Sequence, residues 1–239
     1  MESTFALWVY LSRTPLLWLT VTLLVYVIVD RVSTATNRHP LANPVLHSIW
    51  IIAGVLVLSG TSYRTYFDGA QFVHFALGPA TVALAVPLYE NRRIVLRALG
   101  PMMLALLSGS VTALVSALAI ARAFGMPTSI LASLAPKSVT AGVAMGIAEG
   151  LGGDPSLTAV LVILTGILGA VIVTPLMDAL KITDWRARGF AVGLASHGIG
   201  TARAFQVNPI AGTFAGIAMG LNALLTAILV PFAVSVLTR

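Results

Sequence analysis

A lysine and two hydroxyl-bearing residues follow a proline inside one apolar stretch of the sequence. Residues 136–140 read Pro-Lys-Ser-Val-Thr, and the segment around them, 128–151, is apolar enough to enter a bilayer. A lysine at the centre of a membrane helix costs about 2.5–3.5 kcal/mol, so Lys137 has to face protein, water or a bound anion. Pro136 interrupts a helix and leaves N–H groups of the next turn without partners. Lys137, Ser138 and Thr140 therefore predict a small-anion site at membrane depth. The alternative is a lysine whose alkyl stem reaches to the interface.

A second polar cluster interrupts the apolar segment 189–205. It contains Ser196, His197, Thr201 and Arg203 among several glycines. Histidine can pass a proton near neutral pH, and arginine presents a planar fork to a carboxylate. These residue types fit substrate binding or proton coupling. The alternatives are a buried histidine bonded to a carbonyl, and an arginine that reaches the headgroups.

Single polar residues occur in two other apolar segments. Thr81 follows Pro79 in a second Pro-x-hydroxyl pattern and completes the set of candidate binding residues. For Thr81 and for Asn222, however, the default role is hydrogen bonding between helices. The chain has no cysteine, which excludes disulfides and thiolate metal sites. No metal-ligand cluster, nucleotide loop or nucleophile triad is recognisable. We therefore expect neither a cofactor nor an enzymatic activity.

The composition decides the class of protein. Of 239 residues, 58% are hydrophobic and 9% are charged, and the mean hydropathy is +0.96. A soluble domain has about 25% charged residues. The net charge of +6 could suggest a nucleic-acid partner, but the arginines cluster at the ends of apolar segments, as membrane topology requires. We therefore expect an integral membrane protein that binds the lipid bilayer and no nucleic acid.

The hydrophobic pattern predicts an all-α polytopic membrane protein with one domain over residues 1–239. It has seven or eight hydrophobic segments, which fall near 15–33, 42–60, 69–89, 98–121, 128–151, 156–180, 189–205 and 208–237. Three of them contain prolines or glycines that make a straight helix unfavourable: 69–89, with Gly78-Pro79, and the two polar segments described above.

The distribution of basic residues favours a re-entrant segment. If all eight segments cross, seven of the basic residues outside them lie on one side of the membrane and five on the other, which favours neither orientation of the protein. If 128–151 enters and leaves on one side, they divide nine to three, as the positive-inside rule prefers. The segments 69–89 and 189–205 would then be inverted relative to each other. Broken helices in two inverted halves are typical of transporters, so we expect an inverted repeat.

At these same residues the sequence resembles the LrgB/CidB family of membrane proteins. The resemblance covers most of the chain. Five stretches carry it: Gly78 to Ala85, Pro136 to Thr140, Gly152 to Val160, Thr165 to Ala170, and Ala195 to Ala204.

 The departures are Ala141-Gly142 where the family usually has Thr-Pro, Gly198 where an alanine usually follows the histidine, and Ala211 at a commonly acidic position.

The resemblance implies a function, a partner and a location. The family was first described as regulators of murein hydrolase activity, named by analogy with holins and antiholins. Its plastid relatives look like glycolate/glycerate carriers, and bacterial relatives are associated with pyruvate uptake. Members usually act beside a small LrgA/CidA-type membrane protein. We therefore expect a homo- or hetero-oligomer in a bacterial plasma membrane.

Two hypotheses follow for the function. The first is a secondary carrier of small monocarboxylates such as glycolate, glycerate or pyruvate, with its substrate site where broken helices meet near the midplane. The alternative is a holin/antiholin-like regulator of murein hydrolase activity and membrane permeability. The sequence analysis favours the carrier, because buried cations at helix breaks have no obvious use in a regulator of leakage.

Overall fold

The computed structural model describes residues 14–83 and 85–237, and within these ranges the regular structure is helical. The chain divides into two compact units, the first ending at Ala85 and the second starting at Val86. The prediction of a single domain concerns the whole chain and is not decided by this division.

In the first unit, residues 14–83 form three long helices and one short turn of 3₁₀-helix. Helix α1 spans Pro15–Ala35, the 3₁₀ turn Pro40–Ala42, α2 Pro44–Ser59 and α3 Tyr63–Ala83. Helix α1 packs against both α2 and α3. A Cβ at Gly69 would lie 2.1 Å from the carbonyl oxygen of Pro15, so only glycine allows α3 to approach α1 this closely. Trp18 is fully buried and meets the ring of Tyr66 edge-on.

The second unit combines three long helices with two interrupted segments. A short helix α4 (Ala85–Glu90) leads into α5 (Arg92–Ala123). The first interrupted segment contains α6 (Thr128–Leu134) and α7 (Ala141–Gly150), and it is followed by α8 (Pro155–Ala179). The second interrupted segment is α9 (Trp185–Val207), and α10 (Pro209–Leu237) ends the described chain.

Three helices begin with the same local signal, a polar cap followed by proline. The side chains of Asn43, Asp154 and Asn208 each accept hydrogen bonds from two backbone N–H groups in the first turn of α2, α8 and α10. The proline that follows each cap occupies the first helical position, where its missing N–H costs nothing. The starts of these helices are therefore fixed by two adjacent residues.

Two core clusters set the direction of α5 and α10. Near one end, Val95 and Met102 of α5 pack with Phe190 and Phe214. Near the other end, Leu118 and Ala121 of α5 pack with Leu131, Val230 and Val234. Since sequence number rises along both helices from the first cluster to the second, α5 and α10 run parallel.

Among the described residues, four helices are long and apolar enough to cross a membrane. They are α1, α5, α8 and α10, and α2 is apolar but has only 16 residues. The prediction of an all-helical membrane protein is thus confirmed with four candidate spans, and the number of seven or eight hydrophobic segments stays a prediction. The re-entrant course and the inverted repeat stay predictions.

Pro79 does not itself interrupt a helix. The sequence analysis expects no straight helix over 69–89, which contains Gly78-Pro79 and Pro87; α3 continues through Pro79 to Ala83, and α4 is a separate helix that begins at Ala85. Proline is tolerated in apolar helices when other groups satisfy the carbonyl that it leaves free. The proline pattern alone therefore does not locate a break.

Candidate functional site

The first break follows Pro136 as the sequence predicts. Helix α6 ends at Leu134, α7 begins at Ala141, and residues 135–139 form turns in between. The N–H of Lys137 bonds the carbonyl of Leu134, and the N–H of Val139 bonds the carbonyl of Pro136. Pro136 and Val139 are almost completely buried. The break is therefore a packed turn inside the protein.

Lys137 is half-buried at this turn. Its Nζ donates to Oγ of Ser138 at 3.4 Å, which is a long hydrogen bond. Within the part of the chain that the structure describes, no carboxylate forms an ion pair with Lys137. The ammonium group thus lies at a helix break, and the described residues give it no ion-pair partner.

The turn is held against α8 by a serine that the sequence analysis did not single out. Ser133 is fully buried, and its Oγ accepts from the N–H of Asp154 at 2.8 Å. Its carbonyl accepts from the hydroxyl of Thr158 at 3.1 Å. A Cβ at Gly153 would lie 2.9 Å from the nitrogen of Ser133. The glycine and the two hydroxyls bring the start of α8 onto the end of α6.

The second break is a reversal of the chain within α9. The backbone leaves helical geometry at Ser196 (φ −131°, ψ 17°) and His197 (φ 42°, ψ −134°). In a continuous helix, residues 192 and 200 would be about 12 Å apart along the axis. Here a Cβ at Gly200 would lie 2.8 Å from the carbonyl oxygen of Val192. Val192 and Ala204 also share a core cluster. The two halves of α9, 185–195 and 198–207, therefore lie side by side.

Both halves pack on α10, in opposite directions. A Cβ at Gly189 or Gly193 would meet the carbonyl oxygens of Ala211 and Ala215, which is a parallel register. In the second half, Thr201 contacts Met219, and Gly212 lies against the ring of Phe205, which is an antiparallel register. The sequence analysis expects a broken segment here, and the structure adds that it doubles back.

The reversal is fixed by a hydrogen bond from the histidine ring to α8. Nε2 of His197 lies 2.9 Å from the carbonyl oxygen of Val162. Because a carbonyl only accepts, Nε2 carries the hydrogen and donates it. The reversal packs on two glycines of α8: a Cβ at Gly166 would lie 2.7 Å from Cε1 of His197, and one at Gly169 would lie 1.6 Å from Oγ of Ser196. This geometry agrees with the alternative given in the sequence analysis, a buried histidine bonded to a carbonyl.

Asn222 joins the two breaks. Its side-chain amide nitrogen donates to the carbonyl of Ser138 at 3.3 Å and to the carbonyl of Leu194 at 3.0 Å. Its Oδ1 accepts from the hydroxyls of Ser110 at 2.6 Å and Thr226 at 3.3 Å. Carbonyls at interrupted helices lose their intrahelical donors, and unsatisfied groups are expensive away from water. These five residues are called the Asn222 cluster below, and within it the amide group of Asn222 supplies one donor to each break.

The two breaks also meet through apolar contacts. Val139 of the first break and Ala144 of α7 form a core cluster with Val162 of α8, and Ala223 of α10 packs against it. Val162 is the residue whose carbonyl receives the bond from His197. The sequence analysis treats Lys137 and His197 as separate candidates, and the structure places their breaks around the same two helices.

The remaining predicted residues are arranged differently. Thr140 precedes α7 without a side-chain cap bond, and the hydroxyl of Thr201 donates to the carbonyl of His197 at 2.8 Å. Arg203 is buried, but it lines a small cavity with Arg188 and Gly189, near the ends of α9 rather than at the reversal. Thr81 belongs to α3 in the first unit, and its side chain lies outside the described residues.

The cavity beside the Asn222 cluster is small. The cavity lined by Ser110, Ser138, Asn222 and Thr226 has a volume of about 10 Å³, which is at the limit for a single water molecule. A carboxylate of three carbon atoms does not fit there unless one of the interrupted segments moves. The arrangement is that of a closed polar centre in an apolar helical bundle.

Four apolar helices of spanning length among the described residues, together with the polar helix breaks of the second unit, define an integral membrane protein of the polytopic α-helical class. The comparison with protein families narrows this further. The model of the LrgB-like family matches residues 22–236, so the chain belongs to the LrgB-like family.

Curated relatives agree with this family. The holin-like protein CidB of Staphylococcus epidermidis is 31% identical over 222 residues, which cover 93% of this chain and 96% of the relative. CidB of Staphylococcus aureus is 31% identical over 193 residues, covering 81% and 84%. The protein YxaC of Bacillus subtilis is 36% identical over 195 residues, covering 82% and 85%. No solved structure matches the chain significantly.

Proposed function

We propose that this protein is a holin/antiholin-like membrane protein that regulates membrane permeability and, through it, murein hydrolase activity. One observation carries the proposal: relatives named holin-like protein CidB align with the chain over nearly the full length of both. The family resemblance drawn from the sequence gives the same function as its alternative. The comparisons support this alternative better than the carrier that the sequence analysis favours.

The proposal includes a finer topology, in which both interrupted segments enter and leave on their own side of the membrane and meet at the Asn222 cluster. Charge supports this arrangement within the second unit. Among the described residues at the helix ends, it puts six basic residues (Arg92, Arg93, Arg97, Lys181, Arg186 and Arg188) on the face where α9 begins and one (Arg122) on the opposite face. By the positive-inside rule, the face with six is cytoplasmic.

A leakage experiment tests the permeability function. The purified protein is reconstituted into liposomes that contain dyes of graded size, alone and with an LrgA/CidA-type partner. We expect release of small dyes at a rate that rises linearly with dye concentration and is insensitive to added carboxylates. Liposomes that stay tight both with and without the partner would contradict the proposal.

A second candidate function is a carrier of small monocarboxylates such as glycolate, glycerate or pyruvate. The specific observation in its favour is Lys137, a half-buried cation at a helix break whose ammonium group has no acidic partner among the described residues. Ser138, Thr140, Ser196, His197 and Thr201 border the same two breaks. The small central cavity requires that substrate entry be coupled to movement of an interrupted segment.

The carrier is distinguished from the holin-like function by saturation. Uptake of labelled glycolate or pyruvate into the same liposomes is measured as a function of concentration for the wild type, Lys137→Ala and Lys137→Arg. A carrier gives saturable uptake that falls at least tenfold in Lys137→Ala and is partly restored in Lys137→Arg. Uptake that does not saturate, or that is unchanged in Lys137→Ala, excludes it.

A further inference from the structure

A groove lies between α5 and α9 in the second unit. Its volume is about 500 Å³. Ala98, Pro101 and Ala105 of α5 form one wall, and Ala187 and Ala191 of α9 form the other. The walls are therefore alkyl surfaces along most of their length.

Charged residues occupy one end of this groove only. Arg97 and Arg186 line it together with Asp184, and the same three residues line a second cavity of about 430 Å³ on their other side. Nε of Arg186 donates to both carboxylate oxygens of Asp184 at 3.0 Å. Arg97 is exposed and forms no ion pair with the acidic residues that the structure describes. The charged end thus carries a net charge of about +1 with an accessible guanidinium.

The position of a tryptophan indicates the depth of this end. Trp185 lines the second cavity beside Arg97 and Arg186, and the guanidinium of Arg188 lies 5.0 Å from the centre of its ring. Tryptophan is enriched at the membrane–water interface. The charged end therefore lies at the level of the lipid headgroups.

The groove has the length of one bilayer leaflet. From Arg97 it follows α5 to Ser108 and Gly109, where Leu194 closes it. Twelve helical residues span about 18 Å, and half of the hydrocarbon core is about 15 Å. A cation at the interface followed by an apolar groove of this length matches an anionic phospholipid.

We propose that this groove binds one anionic phospholipid molecule. The phosphate lies between Arg97 and Arg186, and one acyl chain follows the alkyl walls towards Leu194. Basic pockets between membrane helices bind anionic headgroups through such contacts. A free phosphate would use the arginines but would gain nothing from the groove.

The test compares lipids that differ only in the headgroup. Purified full-length protein in detergent is titrated with phosphatidylglycerol or with phosphatidylcholine of the same acyl chains, and the bound fraction is measured by native mass spectrometry. We expect the wild type to bind phosphatidylglycerol at least tenfold more tightly. Equal binding of the two lipids would overturn the proposal.

Three variants locate the site. Arg97→Ala reduces phosphatidylglycerol binding to the phosphatidylcholine level, whereas Arg93→Ala, one turn away on the same helix and outside both cavities, leaves it unchanged. Equal loss in both variants would indicate general surface charge and contradict the site. Ala105→Phe fills the groove and abolishes lipid binding while both arginines remain. If Ala105→Phe has no effect and inorganic phosphate displaces the lipid, the ligand is a free anion and the lipid proposal is wrong.

Discussion

The backbone carbonyl of Leu194 accepts a hydrogen bond from the side-chain amide of Asn222 at 3.0 Å. A continuous helix would pair this carbonyl with the N–H of Gly198, and the reversal at Ser196 and His197 removes that donor. The same amide group bonds the carbonyl of Ser138 in the first break. One side chain of α10 therefore compensates for interruptions in two other segments.

Replacing this side chain should destabilise the protein through both breaks. In Asn222→Ala, two carbonyls lose their donor, which should cost about 1–3 kcal/mol of unfolding free energy. Thr226→Val is the matched control, because it removes only the 3.3 Å bond to Oδ1 and keeps the shape. We expect its cost to stay below about 1 kcal/mol. Denaturant titration in detergent measures both, and equal effects of the two variants would contradict the bridging role.

His197 offers a test of the reversal itself. Its positive φ favours glycine, whereas in a continuous helix alanine is better than glycine by about 1 kcal/mol. Both His197→Ala and His197→Gly lose the bond to Val162, so the comparison between them isolates the backbone. We expect His197→Gly to unfold at a higher denaturant concentration than His197→Ala. The opposite order would mean that residue 197 is helical.

The glycines of α8 should not tolerate a methyl group. Gly169→Ala places a Cβ 1.6 Å from Oγ and 2.7 Å from Cβ of Ser196, and overpacking of this kind costs about 1–3 kcal/mol. Adding Ser196→Gly should recover part of the loss. Gly146→Ala is the control, since nothing lies within 4 Å of its added Cβ. We expect Gly146→Ala to be neutral or stabilising in the same titration, and a comparable loss there would argue against the close approach.

The sequence predicts the first break because Pro136, which removes an N–H group, is followed at once by the polar residues Lys137 and Ser138, whereas proline alone, as at Pro79, does not interrupt a helix. The polar residues and glycines in 189–205 predict an interruption there, but not the residue at which the chain turns. The positive φ falls on His197, although Gly193, Gly198 and Gly200 are nearby, because the ring bonds α8 and because Gly193 and Gly200 are used for close packing.

The role of Asn222 could be predicted only in kind. A single amide in an apolar helix indicates hydrogen bonding between helices, which is what it does. Its backbone partners, however, are 28 and 84 residues away in the sequence. The sequence analysis also groups Arg203 with His197 in one polar cluster, whereas in the structure Arg203 lines a small cavity near the ends of α9, away from the reversal.

Lipid binding at the groove between α5 and α9 should be insensitive to mild acidification. The hydrogen bond from Arg186 holds the pKa of Asp184 below its ordinary range, which lies near 3.9. The ion pair is therefore present above that value and is lost only as the pH falls through the lowered pKa of the folded protein. We expect equal phosphatidylglycerol binding at pH 7.5 and pH 5, measured by native mass spectrometry. Asp184→Asn, which keeps a capping side chain, should bind more tightly at both pH values, and a large increase for the wild type at pH 5 would contradict this assignment.

Cysteine labelling decides whether the two interrupted segments cross the membrane. The chain has no cysteine, so one introduced thiol reports one position. Phe124 and Ser156 flank the first segment, Thr183 and Val207 bracket the second, and all four side chains are exposed. If both segments are re-entrant, an impermeant maleimide labels Phe124→Cys and Ser156→Cys from one side of the membrane, and Thr183→Cys and Val207→Cys from the other.

The same four variants contain their own control. Ser156 and Thr183 flank α8, which is long and apolar enough to cross, so these two positions must label from opposite sides whatever the interrupted segments do. Labelling of Phe124→Cys and Ser156→Cys from opposite sides would mean that 128–151 crosses. Because the two halves of α9 lie side by side, opposite labelling of Thr183→Cys and Val207→Cys would be incompatible with its reversal at His197.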